Sequence, residues 1–551
     1  MTFIFKNLVS WLTVIIMFLS SVIPGFRGIK GENIVILYTN DVHCAVENGL
    51  GYAGVSAYKK ETEKKYENVT LVDCGDHVQG GVIGSYSEGS YIIDIMNAVG
   101  YDYAALGNHE FDYHIPKLSQ LVSDAEFDYL CCNLSYSGDG ENLLKDVKPY
   151  DIVDYGKTQV AYIGVTTPHT VASSLPKYFQ NENGEFVYTF SSDTFFEVQK
   201  NVLEARAKGA DYVVVLAHLG SNAEAEPYTA SQLAAETVGI DAVLDAHSHA
   251  TYNTDVKNKT GENVLVASTG TKLENMGRLE ISVDGELSNT LISAEEYKEK
   301  DAEVQALIDS KNRDIDEKTN QKVGTTDYLL SISDESGTRM VRTRETNCGD
   351  FVADAYRYAG EADIGIANGG SIRDKINIGD ITYKNLLSVV PYGNQLCKVK
   401  VTGQQIADAL EFAYKNTQSE YSDGPNAVGE FGGFIQVSGL KFTVDTSVPS
   451  SVQMDENFMF TGVSGDRRVK DIMVEKDGGL VPLDMNEEYI VAGTAYSILE
   501  HGDGHTAFDG CTVLSNDFSV DVDALVSYLV DGLGGTVDSR YASAQGRITI
   551  K

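Results

Sequence analysis

Six short apolar runs punctuate the first half of the chain, and each ends in polar residues. NIVILYTND, VTLVDCGD, YAALGNHE, VAYIGVTTP, YVVVLAHLG and AVLDAHSH share this form. Short β-branched runs without strict alternation predict strands buried on both faces. Between some of them the spacing turns helical, as in YIIDIMNAVG and TFFEVQKNVLEARAKG. Strands alternating with amphipathic helices predict an α/β layer architecture from Asn33 to about Val283. In open α/β sheets a site gathers where strands end, and the polar clusters all lie there.

From about Ser293 to Lys322 the pattern thins. AEEYKEKDAEVQALIDSKNRDIDEKTNQK is charged, with sparse apolar positions, and predicts a solvated helix linking two domains. A second α/β pattern follows Arg342. NCGDFVADAYRYAG predicts a helix with Asn347 as N-cap, and ADIGIANGG a strand running into a glycine turn. VTGQQIADALEFAYKN predicts another helix, and EEYIVAGTAYSIL another strand. The expected divisions are 1–28, 32–292, 293–335 and 336–551, in keeping with a 551-residue chain too long for one core.

The first of these divisions has its own character. Lys6 precedes an uncharged apolar stretch from Asn7 to Phe26, and Arg27 follows. This is the layout of a secretory signal, also long enough to serve as an uncleaved anchor. It predicts an extracytoplasmic protein, secreted or held at the cell surface. Seven scattered cysteines with no C-x-x-C pair form no disulfide framework.

Charge narrows the partners. Eighty acidic against 43 basic residues give a formal net charge of -37. Such a surface excludes a nucleic-acid polymer, whose phosphates need dense Lys and Arg. A small phosphate ligand needs only a local cluster of cations.

The strand-end clusters hold metal-ligand chemistry. Asp41 and His43 follow the first run, spaced to face one ion from an extended segment. Asp76, then Asn108 and His109, then His218, then His247 and His249 follow later runs. Mixed His, Asp and Asn donors suit zinc, manganese or iron better than calcium. His77 and His114 lie near the same motifs. In the C-terminal half, Arg342 and Arg344 precede a helix, and NGGSIRD sets Asn368 and Arg373 around a glycine turn. Arginine forks suit phosphate oxygens.

The ordered series TNDVH, GDH, GNHEFD, AHLG and HSH, with NGGSIR and GDG after it, resembles the 5′-nucleotidase family of metallophosphoesterases. That resemblance implies an N-terminal four-layer αββα domain and a C-terminal α/β nucleotide-binding domain. It implies two divalent metal ions, with Asp41, His43, Asp76 and His249 as ligands of one. Asp76, Asn108, His218 and His247 would hold the other. Such a pair clamps a phosphoryl group and lowers the pKa of a bound water for in-line attack. His109 is similar to the family's catalytic histidine, with Asp112 orienting it. Glu110 reads as a helix-start carboxylate without a catalytic role, expected to tolerate Gln.

The resemblance also implies a nucleotide substrate bound by Arg342, Arg344, Asn368 and Arg373. Tyr392, in the turn VVPYGN, would be one of two rings that sandwich the base. Asp503 in HGDGH would accept hydrogen bonds from base or ribose. The second ring is out of register. The family places it six residues before this Asp, where Ser497 stands, and Tyr496 lies one place off. Cys44 and Cys74 flank metal ligands and read as bystanders. Nucleoside 5′-monophosphates are the first expectation, and UDP-sugars or 2′,3′-cyclic nucleotides the alternatives. A sulfur-oxidation thiohydrolase would share the metal site but not the Arg and Tyr set. A non-enzymatic surface nucleotide-binding protein would not need His109 and Asp112. Because the two residue sets lie on different domains, the linker is expected to permit domain closure.

Overall fold

The computed structural model describes residues 32–551 except 182, 222–224, 226, 423–427 and 456. The expected signal or anchor segment, 1–28, lies outside the described residues. No described helix is long and apolar enough to cross a membrane.

The six apolar runs form strands, and they pair into two sheets. Ile34–Thr39, Asn68–Asp73, Tyr103–Ala105 and Asp128–Leu130 lie parallel in one sheet, in that order. Asn275–Ile281 and Leu287–Ser293 extend it antiparallel. In the other sheet Gln159–Thr166, Tyr212–His218, Ala242–Leu244 and Asn263–Thr269 run parallel. Tyr150–Asp154 and Thr251–Lys257 form its antiparallel edges.

Side-chain alternation stacks these sheets. Ile34, Ile36 and Tyr38 meet Tyr162, Val214, Leu216 and Leu244 in the buried layer between the sheets. Val35 and Leu37, one residue out of phase, face Val55, Ile92, Met96 and Leu118 of the helices outside. Val213 and Val215 likewise face Val198 and Val202 of helix Thr194–Ala207. Helix, sheet, sheet and helix give the four-layer αββα arrangement.

The charged segment after Ser293 differs from its sequence reading. Helix Ala302–Thr319 is capped by Asp301 and buries Val304, Ile308 and Ile315 on the first domain's outer helices. Three apolar positions suffice to seat one face, so the helix is docked rather than solvated. Strand Lys322–Thr326 then pairs with Gly379–Thr382 and Thr536–Val537 of the C-terminal half. There, Ile364–Asn368 sits between Ile435–Ser438 and Glu488–Thr494 in a five-stranded sheet completed by Gln395–Thr402 and Thr512–Val520. Helix Asn347–Gly360 packs on it, and its N-cap is Thr346, whose side chain accepts from the Gly349 N–H, rather than Asn347.

Candidate active site

Loops at the ends of the parallel strands bring the expected metal ligands together. Three groups form around shared donors: Asp41, His43 and His249; His43, Asp76 and His109; Asp76, His218 and His247. His43 and His249 face each other through Nε2 atoms 2.9 Å apart. His218 Nε2 lies 3.2 Å from both Asp76 Oδ2 and Asn108 Oδ1. All seven candidate ligands therefore share one cluster, buried apart from the half-buried His247 and His249, with Asp76 between its two ends.

The cluster suits cations. The Nδ1 of His43 sits 3.0 Å from the Gln79 carbonyl, and that of His218 sits 2.9 Å from the Cys74 carbonyl. A carbonyl can only accept, so each Nδ1 carries a proton and each Nε2 points inward. Against the cost of burial, Asp76 draws His218 up to about 10, so an ion bound there would displace its Nε2 proton. Burial pushes His43 and His249 well below the usual histidine range, and His247 down to about 3. Three neutral imidazoles, with His218 held against Asp76, beside two carboxylates are a divalent-metal donor set. Cys44 and Cys74 are buried thiols, with Cys44 pushed up to about 12 by burial. Both are protonated, as bystanders would be. None of the seven cysteines forms a disulfide.

Strained backbone aims these ligands. Asp41, His43, Asp76, His247 and His249 all adopt positive φ, between 48° and 77°. Each such residue costs on the order of 1–3 kcal/mol, which the surrounding structure must offset. Three buried carboxylates that bind no ligand position help do so. Glu110 accepts the backbone N–H groups of Asp76 (2.8 Å), His77 (2.9 Å), Val78 (3.4 Å) and Gly107 (2.6 Å). Asp245 accepts those of Leu219 and Gly220, both at 3.1 Å. Asp73 accepts the Gly75 N–H and holds the His77 ring at 2.8 Å. The loops touch so closely that a Cβ on Gly107 would lie 2.2 Å from Asp76 Oδ1.

Glu110 thus corrects the sequence reading. It is fully buried and joins the GDH loop to the GNHE loop. The helix-start position holds, since Glu110 lies in the first turn of the 3-10 helix His109–Phe111, but its carboxylate also serves the neighbouring loop. Its acidity in an otherwise buried segment was the available signal. His77 proves structural, held between Asp73 and the Tyr129 hydroxyl.

His109 stands at the cluster's open side. Its backbone N–H donates to Asp76 Oδ1 at 2.9 Å, and its Nδ1 lies 2.5 Å from Asp112 Oδ2. Burial raises the Asp112 carboxyl, and the His109 ring draws it back down.

The C-terminal half supplies the opposite wall. A cavity of about 550 Å³ is lined by Asp76, Asn108, His109, Asp112, His247 and His249 on one side. Arg342, Asn368, Arg373, Tyr392, Tyr496 and Asp503 line the other. Asn368 donates to Asp503 Oδ2 at 3.1 Å. The Nε of Arg342 is buried with no hydrogen-bond partner among the described residues. Burial lifts the Asp503 carboxyl to about 6, against the pull of Arg342. The Tyr392 ring centroid is 6.3 Å from that of His109.

Two placements depart from expectation. Arg344 turns away from the cavity. It donates to the carbonyls of Thr343, Gln418 and Ser419 and stacks on Tyr421. Residues two apart on a turn need not point the same way, so only Arg342 of the expected pair faces the cavity. Arg339, not singled out in the sequence, lines the cavity and pairs with Glu430. Tyr496 reaches the cavity, but its hydroxyl is engaged. It donates to the Ser173 carbonyl of the first domain at 3.2 Å and accepts the Asp503 N–H at 3.1 Å. With the exposed Lys177–Glu500 ion pair at 3.0 Å, this contact joins the two halves beside the cavity.

Known proteins share both halves. Residues 34–251 match the calcineurin-like phosphoesterase family, and residues 321–510 match the 5′-nucleotidase C-terminal domain. The chain is 27% identical over 521 residues to the trifunctional nucleotide phosphoesterase protein YfkN of Bacillus subtilis. That match takes in 86% of this chain but 32% of YfkN, so the chain spans about a third of that relative's length. A snake venom 5′-nucleotidase of Gloydius brevicauda is 27% identical over 463 residues, covering 75% of this chain and 74% of the venom protein. The crystal structure of a 5′-nucleotidase precursor from Thermus thermophilus superposes with a TM-score of 0.77 at 27% identity, covering 94% of this chain and 99% of that one. With both domains present in this order, and a metal-ligand cluster at the strand ends of the first, the chain belongs to the 5′-nucleotidase family of metallophosphoesterases, which are phosphate-ester hydrolases.

Proposed function

We propose that this protein releases phosphate from nucleoside 5′-monophosphates, using two divalent ions of the zinc or manganese type. The observation that carries the reading is the single cavity. One wall offers metal donors and His109, and the other offers guanidinium groups, an amide and an aromatic ring. A phosphoryl group suits the first wall and a nucleoside the second. We assign Asp41, His43, Asp76 and His249 to one ion, and Asp76, Asn108, His218 and His247 to the other. Such ions polarise phosphoryl oxygens and bring the pKa of a bound water toward neutrality.

The chain's own groups do the rest. His109 Nε2 donates to a phosphoryl oxygen as charge builds there, while Asp112 fixes the ring through Nδ1. Arg342 and Arg373, which both line the cavity, hold the phosphate. Asn368 and Asp503 bind ribose or base, and Tyr392 stacks on the base. Tyr496 shapes the far end of the cavity. UDP-sugars and 2′,3′-cyclic nucleotides are the runner-up substrates; Lys177, Asn516 and Asp517 also line the cavity.

We place the catalytic domain at 32–292 and the substrate domain at 336–551, with 293–335 between them. Export through the N-terminal segment belongs to the same reading, and cell fractionation tests it. His109→Ala separates an enzyme from a nucleotide-binding protein. A fall in kcat of about 10²–10⁴ with retained AMP binding is expected. Wild-type turnover in the variant contradicts the assignment.

A further inference from the structure

The turn that carries Tyr392 is held by a carboxylate that does not itself line the cavity. Pro391–Asn394 joins helix Tyr383–Val389 to strand Gln395–Thr402. Gly393 in its middle adopts a φ of +65°. Upstream, the Val389 carbonyl accepts the Arg373 N–H at 2.8 Å, and downstream Gln395 pairs with Val520. Between these points the turn meets Asp521. The Asn394 N–H donates to Asp521 Oδ2 at 2.9 Å, and the Asp521 N–H donates to the Asn394 carbonyl at 2.9 Å. The other carboxylate oxygen accepts the Val522 N–H at 2.7 Å. Asp521 has no exposed surface.

An apolar residue at the start of helix Asp521–Ser527 would spare the chain a buried acid. Burial pushes this carboxyl up to about 7 even though its N–H partners favour the ionised form. A costly group bonded to an aromatic turn calls for a reason beyond packing.

We propose that Asp521 is a positioning residue for base recognition: its reciprocal bonds with Asn394 set the turn so that the Tyr392 ring faces the cavity. This rests on the reading of Tyr392 as a base-stacking ring. The residue touches no substrate, so its effect should follow the base and not the phosphate.

The test compares AMP with ribose 5-phosphate, which has the same phosphate and sugar but no base. Asp521→Asn is isosteric but turns an NH₂ group toward a backbone N–H. It is expected to raise the AMP KM about tenfold, the loss of one net hydrogen bond, with kcat within about twofold. Both constants for ribose 5-phosphate should stay at wild-type values. Tyr392→Ala should give the same pattern, and so should Asp521→Ser if the Asn variant folds poorly. An unchanged AMP-to-ribose 5-phosphate KM ratio in the Asp521 variants overturns the inference. So does a parallel loss on both substrates, which would mark a merely structural role. Wild-type protein that releases phosphate from neither compound overturns the functional reading instead.

Discussion

Glu110→Gln tests how the metal site is held. The substitution keeps volume and one carbonyl oxygen, and it removes the charge. Each carboxylate oxygen now receives two backbone N–H groups: Asp76 and Gly107 on Oε2, His77 and Val78 on Oε1. Whichever oxygen becomes NH₂, two buried donors lose their acceptor and meet another donor. Hydrogen bonds to a charged group contribute about 1.5–3 kcal/mol each, so the local loss is on the order of 3–6 kcal/mol. The long Val78 contact places that orientation at the low end. The damage falls on the backbone of Asp76 or of the adjoining His77, at the carboxylate shared by both donor groups. Displacements near 1 Å at such a position cost about 100-fold in rate, and lost supporting partners cost roughly 10–100-fold in metal affinity. The assay is metal content after dialysis against a graded chelator, with kcat/KM measured on the same samples. Retention of both metals and a kcat/KM within about threefold of wild type would refute the reasoning.

Three further outcomes are expected. Arg342→Ala should raise the KM for AMP by about 10–100-fold through loss of a charge-assisted bond, whereas Arg344→Ala should leave it unchanged; steady-state kinetics on the two variants distinguish them. Asp350→Asn should raise the alkaline stability of the C-terminal half, because burial lifts this carboxyl to about 8 against the pull of Arg547. A raised folded-state carboxyl pKa contributes stability that is present below about pH 4 and lost as pH rises toward about 8. The gap in denaturation midpoint between variant and wild type should therefore widen from about pH 4 to about pH 8 and then level off, and a constant gap contradicts it. Joining Lys177 to Glu500 with a zero-length carbodiimide should abolish turnover if the halves must separate to exchange substrate; unchanged steady-state rates discard that motion.

Strands and ligands were legible because both are local. A β-branched run followed by D-x-H or H-x-H carries its own signature; all six runs formed strands, and five of them end in residues of the one site. The supporting groups were not legible. Glu110 and Asp245 bond to loops brought near by the fold, and no spacing rule relates a carboxylate to a backbone N–H roughly 30 residues away. The docking of Ala302–Thr319 was missed for a related reason. Charge dominated its composition, while three well-spaced apolar side chains determined its packing. Arg339 lines the cavity from a bridge with Ser333 that no sequence spacing announces, and Arg344 is drawn off by the Gln418 and Ser419 carbonyls.

The central claim is that the strand-end cluster binds two divalent ions and uses them on a nucleotide phosphate. The most direct measurement is a metal assay and a substrate panel on one preparation. AMP, UDP-glucose and 2′,3′-cyclic AMP would be compared before chelation, after it, and after manganese or zinc is restored. Two metals per chain, phosphate release from AMP, loss on chelation and recovery on reloading are the expected result. Metal-loaded protein that turns over none of the three, or full activity in protein shown to be metal-free, would contradict the account.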